Sequence, residues 1–439
     1  MGMTAREASL KTLAACRKSG AWAETFLGNL ARKEGLDRRD TALAARMTYG
    51  VLQNTALLDF YIDSVSSVRT GRMEPQVLDV LRLGVYQIVF LDRVPDRAAV
   101  SESVELAKSV RPRSAGLVNA VLRRLAGQKD RLPEPGGTLA ERLAVLYSHP
   151  LWFVAEMMTR LGAAEAEALL RANNAETPMT AQVNTLRTDT AHVLRTLQDE
   201  GVQAAAHPWL AHALNLTGTG NLTELRAFQD GLFYIQDAAA RLAVTAADIK
   251  PGQKVLDACA APGGKSFSAA MEMGNQGEIV SCDLHDKKRA LIMKGAERLG
   301  ISVIQTRAAD ARSNSPAYAD TFDRVLADVP CSGTGVIRKK PEIRRRGAED
   351  VTALTAVQRD ILKNVSRYVK PGGILLYSTC SVLTQENEDV LLAFLKEHPN
   401  FAPEAFSTPV GDAPVGMLTL YPHMSGTDGF FIGKLRRRI

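Results

Sequence analysis

The chain has 439 residues, too many for one typical domain, so we expect two or three. Its composition, 46% hydrophobic and 23% charged, is that of a globular protein, and its net charge of +6 favours a nucleic-acid partner only slightly. No run of about 18 apolar residues and no apolar leader occurs, so we expect a cytoplasmic protein without a membrane span.

The five cysteines indicate neither a metal site nor a disulfide framework. They are Cys16, Cys259, Cys282, Cys331 and Cys380. Their number is odd, their spacing is wide and no CxxC pair occurs, so we expect no metal. A long chain without a secretory signal is expected to keep its thiols reduced.

Residues 1–132 are predicted to be all helical. Apolar residues recur at helical spacing over 43–61, 77–88 and 117–125, with breakers at Gly71, Pro95 and Pro112 between them. The pattern predicts a compact helical bundle. We expect each of its basic residues to be a solvated surface charge more often than an RNA contact: Arg38, Arg39, Arg111, Arg113, Arg123 and Arg124.

A small α+β domain is predicted over 140–240, after a linker at 133–138. The sequence TAQVNTLRT at 180–188 alternates as a strand does, and 192–201 is typical of a helix that ends at Gly201. This region says little about chemistry.

Strands and helices alternate over 241–439, which predicts a doubly wound, mostly parallel α/β sheet of the Rossmann-like kind. Five strands are expected at 254–258, 278–283, 303–306, 322–330 and 373–380. Helices are expected around 354–368 and 386–397, and two segments, 415–422 and 429–435, are predicted to pair antiparallel and close the sheet.

Each predicted strand ends in, or is soon followed by, residues that are unusual for a core. They are DACAAPGGKS at 257–266, Asp283, Asp310, Asp328 with Cys331, and Thr379 with Cys380. Ligands of open α/β sheets bind outside the carboxyl ends of the strands, so we expect these residues to line one crevice.

The first loop indicates the cofactor. Gly263 and Gly264 allow close backbone approach, but neither GxGxxG nor a P-loop is present, which disfavours a dinucleotide. Asp283 follows about 20 residues later, where an acid binds ribose hydroxyls. An adenosyl ribose without phosphate indicates S-adenosylmethionine, although a glycine turn alone is weak evidence.

Two cysteines at adjacent strand ends suit methylation of carbon 5 of cytosine. A thiolate that adds to carbon 6 makes carbon 5 nucleophilic, and cysteine has both the pKa and the nucleophilicity for this step. Asp328 is placed to act as an acid near the N3 edge of the base. A lone cysteine at a strand end is more often a small buried residue. The residues alone do not decide whether Cys331 or Cys380 attacks.

A basic run follows Cys331, in GTGVIRKKPEIRRR. Its cations are Arg338, Lys339, Lys340, Arg344, Arg345 and Arg346. We expect a loop beside the crevice whose charges contact RNA phosphates, with a solvated loop as the alternative. An RNA target would enter the pocket as an unstacked or flipped base.

The motifs DACAAPGGKS, DVPCSGTG and YSTCSVLTQENE resemble those of the NOL/NOP/Sun RNA cytosine-C5 methyltransferases, specifically the bacterial RsmB (Fmu/Sun) type that acts on 16S ribosomal RNA. The resemblance extends over essentially the whole chain. It implies three domains: an all-α NusB-like RNA-binding bundle at 1–132, a small α+β linking domain at 140–240, and a class I methyltransferase domain at 241–439. It also implies a monomer.

The resemblance implies roles for individual residues. Cys380 would be the nucleophile, and Cys331 would assist proton removal and product release. Contacts to S-adenosylmethionine would come from Cys259, Ala260, Ala261, Pro262, Gly263, Gly264, Lys265, Asp283, Asp310 and Asp328. One departure from the family is visible at Lys339–Glu342, where an acidic or histidine-containing stretch is expected.

Two rival interpretations remain. A relative that modifies transfer RNA would share the motifs, although the NusB-like domain argues against it. A non-catalytic NusB-like RNA-binding or antitermination factor would use the sheet domain as a scaffold, and the intact pair of cysteines with Asp328 argues against that. Transfer of labelled methyl groups to unmodified RNA distinguishes the classes.

Overall fold

The computed structural model describes residues 2–439, which divide into two compact units. One unit runs up to Ala175 and includes Ile337–Arg345, and the other comprises Glu176–Val336 and Arg346–Ile439. None of the helices in residues 2–439 combines the length and the apolar character that a membrane crossing requires.

The first unit is all helical, as predicted. Its helices are α1 Ala5–Ser19, α2 Ala23–Glu34, α3 Arg38–Gln53, α4 Thr55–Val65, α5 Pro75–Phe90, α6 Asp96–Val110, α7 Ala115–Ala126, α8 Leu139–Leu146, α9 Leu151–Leu161 and α10 Ala163–Ala172. The apolar residues predicted over 43–61 lie on two helices, α3 and α4, because the chain breaks at Asn54. Helix α5 is the most enclosed, with Val80, Leu81 and Leu83 fully buried in the core.

Local signals at the helix ends follow ordinary capping rules. Thr4 and Glu7 form a capping box at the start of α1, and Gly20 ends it in the left-handed conformation. Thr138 and Glu141 repeat the capping box at α8, directly after the predicted linker at 133–138. Helices α8–α10 belong to the first unit, so its limit lies beyond residue 132. The limits of the three domains stay predictions.

The second unit begins with a small antiparallel sheet. Its elements are β1 Met179–Val183, α11 Thr190–Asp199, β2 Gln203–Ala206, β3 Ala213–Thr217, α12 Arg226–Gln229 and β4 Phe233–Ile235, with strand order β2-β3-β1-β4. The strand and the helix predicted within 180–201 are therefore present, and the α+β character of this region is confirmed.

The large sheet carries the strand ends that the sequence singled out. The remaining elements are α13 Ala238–Ala246, β5 Lys254–Asp257, α14 Gly264–Glu272, β6 Glu278–Asp283, α15 Asp286–Leu299, β7 Ile304–Ala308, β8 Phe322–Asp328, α16 Ala348–Val365, β9 Val369–Thr379, α17 Glu388–Glu397, β10 Phe401–Pro403, β11 Phe406–Thr408, β12 Gly411–Ala413, β13 Met417–Leu420, α18 Pro422–Ser425 and β14 Phe430–Arg437. The predicted alternation of strands and helices is confirmed.

The strand order is β10-β14-β9-β8-β5-β6-β7, with β13 paired to β14. Strands β5 to β9 run parallel, whereas β14 pairs antiparallel with β9 and β13, as expected for the closing segments. The chain leaves β5 through β6 and β7, then returns to β8 on the other side of β5. The topological switch point therefore lies between β5 and β8, where such sheets form their ligand crevice.

Candidate active site

The loop between β5 and α14 is built for close approach of a ligand. Gly263 has φ +114°, and a Cβ on it would meet the Phe267 ring at 2.5 Å. The backbone N–H of Ala260 donates to the Cys282 carbonyl (2.8 Å), which ties the loop to β6. The loop thus leaves an open backbone cradle at the N-terminus of α14.

Asp257, the last residue of β5, was not singled out by sequence reasoning. It is fully buried and accepts a hydrogen bond from the Ser266 hydroxyl (2.7 Å). Burial raises the pKa of its carboxyl to about 6. The sequence signal for Asp257 is a charged residue at the end of an apolar strand.

Acidic residues follow the next two strands, as predicted. Asp283 ends β6, is 9% exposed and accepts from the His285 backbone N–H (2.9 Å). Asp310 lies just after β7, and hydrogen bonds from Arg312 hold the pKa of its carboxyl below the usual range. A small cavity beside Asp310 is lined by apolar and aromatic groups that include Cys282 and Tyr368.

These features fit a nucleoside-like group. The loop lies at the N-terminus of α14, the carboxylates of Asp283 and Asp310 follow the next two strands, and the small cavity beside Asp310 is apolar. Cys259 lies in the same loop, where burial raises the pKa of its thiol. It is therefore not a thiolate in this environment.

Asp328 lies at the end of β8 and is paired on both oxygens. Lys265 Nζ lies 2.6 Å from Oδ2, and the Ser378 hydroxyl donates to Oδ1 (2.8 Å). Ser378 stands opposite Asp328 in the parallel pairing of β8 with β9. Lys265 also lies 5.1 Å above the Phe430 ring. An acceptor of two such bonds has the pattern of an ionised carboxylate.

The two cysteines at the ends of β8 and β9 are in contact. The sulfur atoms of Cys331 and Cys380 are 3.2 Å apart, and both thiols are free and half-buried. The pKa of Cys331 is raised well above its usual value, first because of its hydrogen-bonding contact with Cys380 and then because it is buried. The Gly335 N–H donates to the Cys380 carbonyl (2.9 Å), which joins the two loops.

Two further polar residues at this edge were missed by sequence reasoning, although they lie in the motif YSTCSVLTQENE. Glu386 and Asn387 are fully buried. Asn387 accepts from the Thr379 hydroxyl (2.6 Å) and donates to the Ser381 carbonyl (3.0 Å), on either side of Cys380. Glu386 accepts from the Ser332 backbone N–H (2.7 Å), next to Cys331. Their place in a polar motif beside Cys380 is the sequence signal that could have revealed them.

The prediction that the whole basic run contacts phosphates is wrong for Arg344, a buried residue of the first unit. Its guanidinium donates to carbonyl oxygens, among them those of Tyr147 (3.0 Å) and Asn173 (3.2 Å). Arg338 is buried as well, and Lys340 lies 5.0 Å above the Trp22 ring. Local sequence could not show this, because these partners are far away along the chain.

The structure thus brings together Cys331 with Cys380, and Asp328 with Lys265, while Asp283 and Asp310 follow the two neighbouring strands β6 and β7. Within residues 2–439, no group of three or more His, Cys, Asp or Glu side chains is arranged to hold a metal ion.

Three known families match successive parts of the chain. The NusB family matches residues 3–127, the ferredoxin-like domain of RsmF/B-like methyltransferases matches 149–223, and the 16S rRNA methyltransferase RsmB/F family matches 244–436. The three matches follow the order of the helical bundle, the small sheet and the large sheet.

Curated relatives are similar over the full length. A probable ribosomal RNA small subunit methyltransferase B from Bacillus subtilis is 35% identical and covers 99% of this chain and 98% of its own. A ribosomal RNA small subunit methyltransferase B from Erwinia tasmaniensis is 34% identical, with 92% of both chains covered. The crystal structure of PH0851 superposes with a TM-score of 0.84 at 26% identity and covers 100% of both chains.

Proposed function

The chain belongs to the 16S rRNA methyltransferase RsmB/F family, and from that premise we propose that it methylates carbon 5 of a cytosine in 16S ribosomal RNA through a covalent bond to Cys380. It is an S-adenosylmethionine-dependent RNA methyltransferase. The observation that carries the finer proposal is the 3.2 Å contact between the Cys331 and Cys380 sulfurs.

S-adenosylmethionine, when bound, supplies an electrophilic methyl group. We assign its binding to the loop Cys259–Ala260–Ala261–Pro262–Gly263–Gly264–Lys265 and to Asp283, Asp310 and Asp328. Asp283 suits ribose hydroxyls, since it is a carboxylate at the end of the strand after the cradle. Asp310 lies beside the apolar cavity, where an adenine ring would present its amine.

Cys380 is the nucleophile in this proposal. Its sulfur lies 3.2 Å from the Cys331 sulfur, so the attacking thiolate and the second thiol can reach the same pyrimidine ring. The thiolate adds to carbon 6 of the cytosine, the pyrimidine takes up a proton at N3, and carbon 5 becomes the nucleophile that receives the methyl group.

Asp328 and Lys265 act at the N3 edge of the base. The Asp328 carboxylate is an acceptor in the structure, so the proton that N3 takes up comes from the Lys265 ammonium through Asp328. The same carboxylate distinguishes cytosine from uracil, because it can accept from the exocyclic amine of cytosine. This refines the acid role expected of Asp328 from the sequence.

Release of product reverses the addition. Cys331 lies beside the Cys380 sulfur and therefore close to the ring carbons, where its protonated thiol stabilises the departing Cys380 sulfur while water takes the carbon 5 proton. The electrons of that C–H bond re-form the double bond between carbons 5 and 6, the bond from carbon 6 to sulfur breaks, and the Cys380 thiolate returns. The proton on N3 goes back through Asp328 to Lys265, which restores the starting state.

The function is tested by incubating the protein with labelled S-adenosylmethionine and small-subunit ribosomal RNA from cells that lack the modification. Nuclease digestion and mass spectrometry should show 5-methylcytidine and no other methylated nucleoside. Transfer RNA serves as the competing substrate. Methylation of a different base, or of transfer RNA in preference, would refute the proposal.

A further inference from the structure

Glu386 is a buried carboxylate at the cysteine pair that has no role in the steps above. It is fully buried, in the loop between β9 and α17. Its Oε1 accepts from the Ser332 backbone N–H (2.7 Å) and from Gln358 Nε2 (3.0 Å), and its Oε2 bonds the Ser332 hydroxyl. Backbone and amide N–H groups can only donate, and the Ser332 hydroxyl donates to Oε2, so both oxygens are acceptors, which is the bonding pattern of an ionised carboxylate.

These hydrogen bonds hold the backbone on both sides of Cys331. Ser332 follows the cysteine and bonds Glu386 directly. Gln358 Nε2 also donates to the carbonyl of Pro330 (3.0 Å), the residue before the cysteine. On the same loop, Arg346 donates to the Cys331 and Ser332 carbonyls, at 3.1 Å and 2.6 Å. The position of the Cys331 sulfur therefore depends on the Glu386 carboxylate.

The charge of Glu386 acts on the Cys331 thiol. The charged or titratable groups around Cys331 are Cys380, Glu386, the buried Tyr377 and, at its carbonyl, Arg346. Of these, the negative carboxylate opposes ionisation of Cys331, adding to the effects of the Cys380 contact and of burial on its pKa. Asn387, the residue next to Glu386, holds the Cys380 side of the pair with a neutral amide.

We propose that Glu386 is a positioning residue that keeps the proton on Cys331 and thereby leaves Cys380 as the sulfur available for attack. The last clause rests on the proposed function, whereas the protonation of Cys331 does not. A carboxylate in this place explains how two cysteines in contact can have different roles.

The test measures the two thiols directly in the full-length protein, without RNA or S-adenosylmethionine. Initial rates of alkylation by iodoacetamide are followed at each cysteine by peptide mass spectrometry between pH 6 and 10. In the wild type, the pH midpoint of Cys331 should lie above that of Cys380. The reverse order in the wild type would overturn the proposal, whatever any variant does.

The variants distinguish the effect of the Glu386 charge from the effect of its hydrogen bonds. In Glu386→Gln the pH midpoint of Cys331 should fall by about one unit or more, because a like charge is removed from its surroundings. Ser332→Ala loses one bond to Glu386 but keeps the carboxylate, so its midpoint should stay near that of the wild type. Asp389→Asn, at an exposed carboxylate three residues away, is the control for net charge.

The proposal would be overturned by an unchanged Cys331 midpoint in Glu386→Gln, or by an equal fall in Ser332→Ala. Either result would show that Glu386 supports the loop without controlling the protonation of Cys331. Absence of 5-methylcytidine in the wild-type transfer assay would instead refute the proposed function and leave the alkylation result standing.

Discussion

Cys331 and Cys380 touch each other, but their surroundings differ in ways that assign separate tasks. The Cys331 thiol contacts the Cys380 sulfur, and the next residue, Ser332, bonds the buried Glu386, which in our proposal keeps Cys331 protonated. Cys380 lies between residues held by the neutral Asn387. The sequence left the choice between the two sulfurs open, because both sit at strand ends in similar polar contexts.

Replacing each cysteine should give opposite results on a denaturing gel. Cys380→Ala should transfer no methyl groups and form no adduct with RNA. Cys331→Ala should still attack, but turnover should fall by roughly 10²–10⁴, the usual effect of losing a proton-transfer group, so a covalent RNA–protein complex accumulates. Cys16→Ala, in the first unit, is the control. An adduct in Cys380→Ala and none in Cys331→Ala would exchange the two roles.

Asp257 should make the stability of the protein depend on pH. Burial raises its folded pKa to about 6 from the ordinary value of 3.8, so between these values the folded state binds more protons than the unfolded state. The free energy of unfolding therefore falls as pH rises through this window, by up to about 3 kcal/mol for two pKa units. Below pH 3.8 the free energy of unfolding is not reduced by Asp257, and above about pH 6 the reduction is complete.

Asp257→Asn removes this titration. Without S-adenosylmethionine, the variant should gain stability relative to the wild type from pH 4 to pH 7, measured as the difference between their denaturant unfolding curves. Asp323→Asn is the comparison, because hydrogen bonds from Lys254 and Lys370 lower the pKa of that carboxyl, so its stabilisation is lost as pH falls. A constant difference between Asp257→Asn and the wild type would contradict the expectation.

At the scale of elements, the loop after β8 is fixed against its neighbours through backbone contacts. Gly335 accepts from the Gly429 N–H (2.8 Å) and donates to the Cys380 carbonyl (2.9 Å). A Cβ on Gly335 would lie 1.9 Å from the Gly429 oxygen. The chain has no space for any side chain here, so the cysteine loop and the segment before β14 depend on glycine for their contact.

Gly335→Ala should therefore lower methyl transfer at least about tenfold and destabilise the protein by about 1–3 kcal/mol, the usual cost of overpacking. Thermal melting and the transfer assay measure the two effects. The matched control is Gly116→Ala in α7, where a Cβ meets nothing within 4 Å and the helix should gain slightly. Equal behaviour of the two variants would show that the loop can shift at little cost.

The elements that the sequence predicted well are those with local signals. Apolar runs that end in polar residues located β5, β6 and β8 almost to the residue, since strand periodicity is local. Strand β9 was predicted to begin at Gly373 but begins at Val369, because it pairs with β8 through a register shift that carries it across Pro371. Asp257 and Glu386 were missed since their importance comes from burial, which only the tertiary structure defines.

At the scale of the whole molecule, the first unit is completed by a distant segment. Ile337–Arg345 belongs to the helical unit although the chain on both sides of it belongs to the second unit. Glu342 accepts from the Ala23 backbone N–H (2.6 Å), and Arg344 donates to carbonyls of Tyr147, Ser148 and Asn173. Periodicity could not reveal this, because the contacts join positions that are roughly 170 to 320 residues apart.

The helical unit should therefore be incomplete as the fragment 1–175. Without the segment, the carbonyl oxygens lose the hydrogen bonds that Arg344 donates, and each such bond contributes about 0.5–1.5 kcal/mol net. Joining 337–345 to the fragment through a long Gly/Ser linker should restore those donors. We expect the joined fragment to be at least about 1 kcal/mol more stable than 1–175, which corresponds to a rise in Tm of about 2–4 °C.

The same joined fragment with Arg344→Ala separates the guanidinium from the rest of the segment. Its Tm should fall back to that of 1–175 or below, because the carbonyls remain buried under the segment with no donor. Lys340→Ala, at an exposed cation above Trp22, should keep most of the gain, since an exposed cation–π contact contributes only about 0.5–1 kcal/mol. If 1–175 alone melts at the same temperature as the joined fragment, the segment 337–345 does not stabilise the helical unit. Its basic residues would then again be candidates for RNA contact.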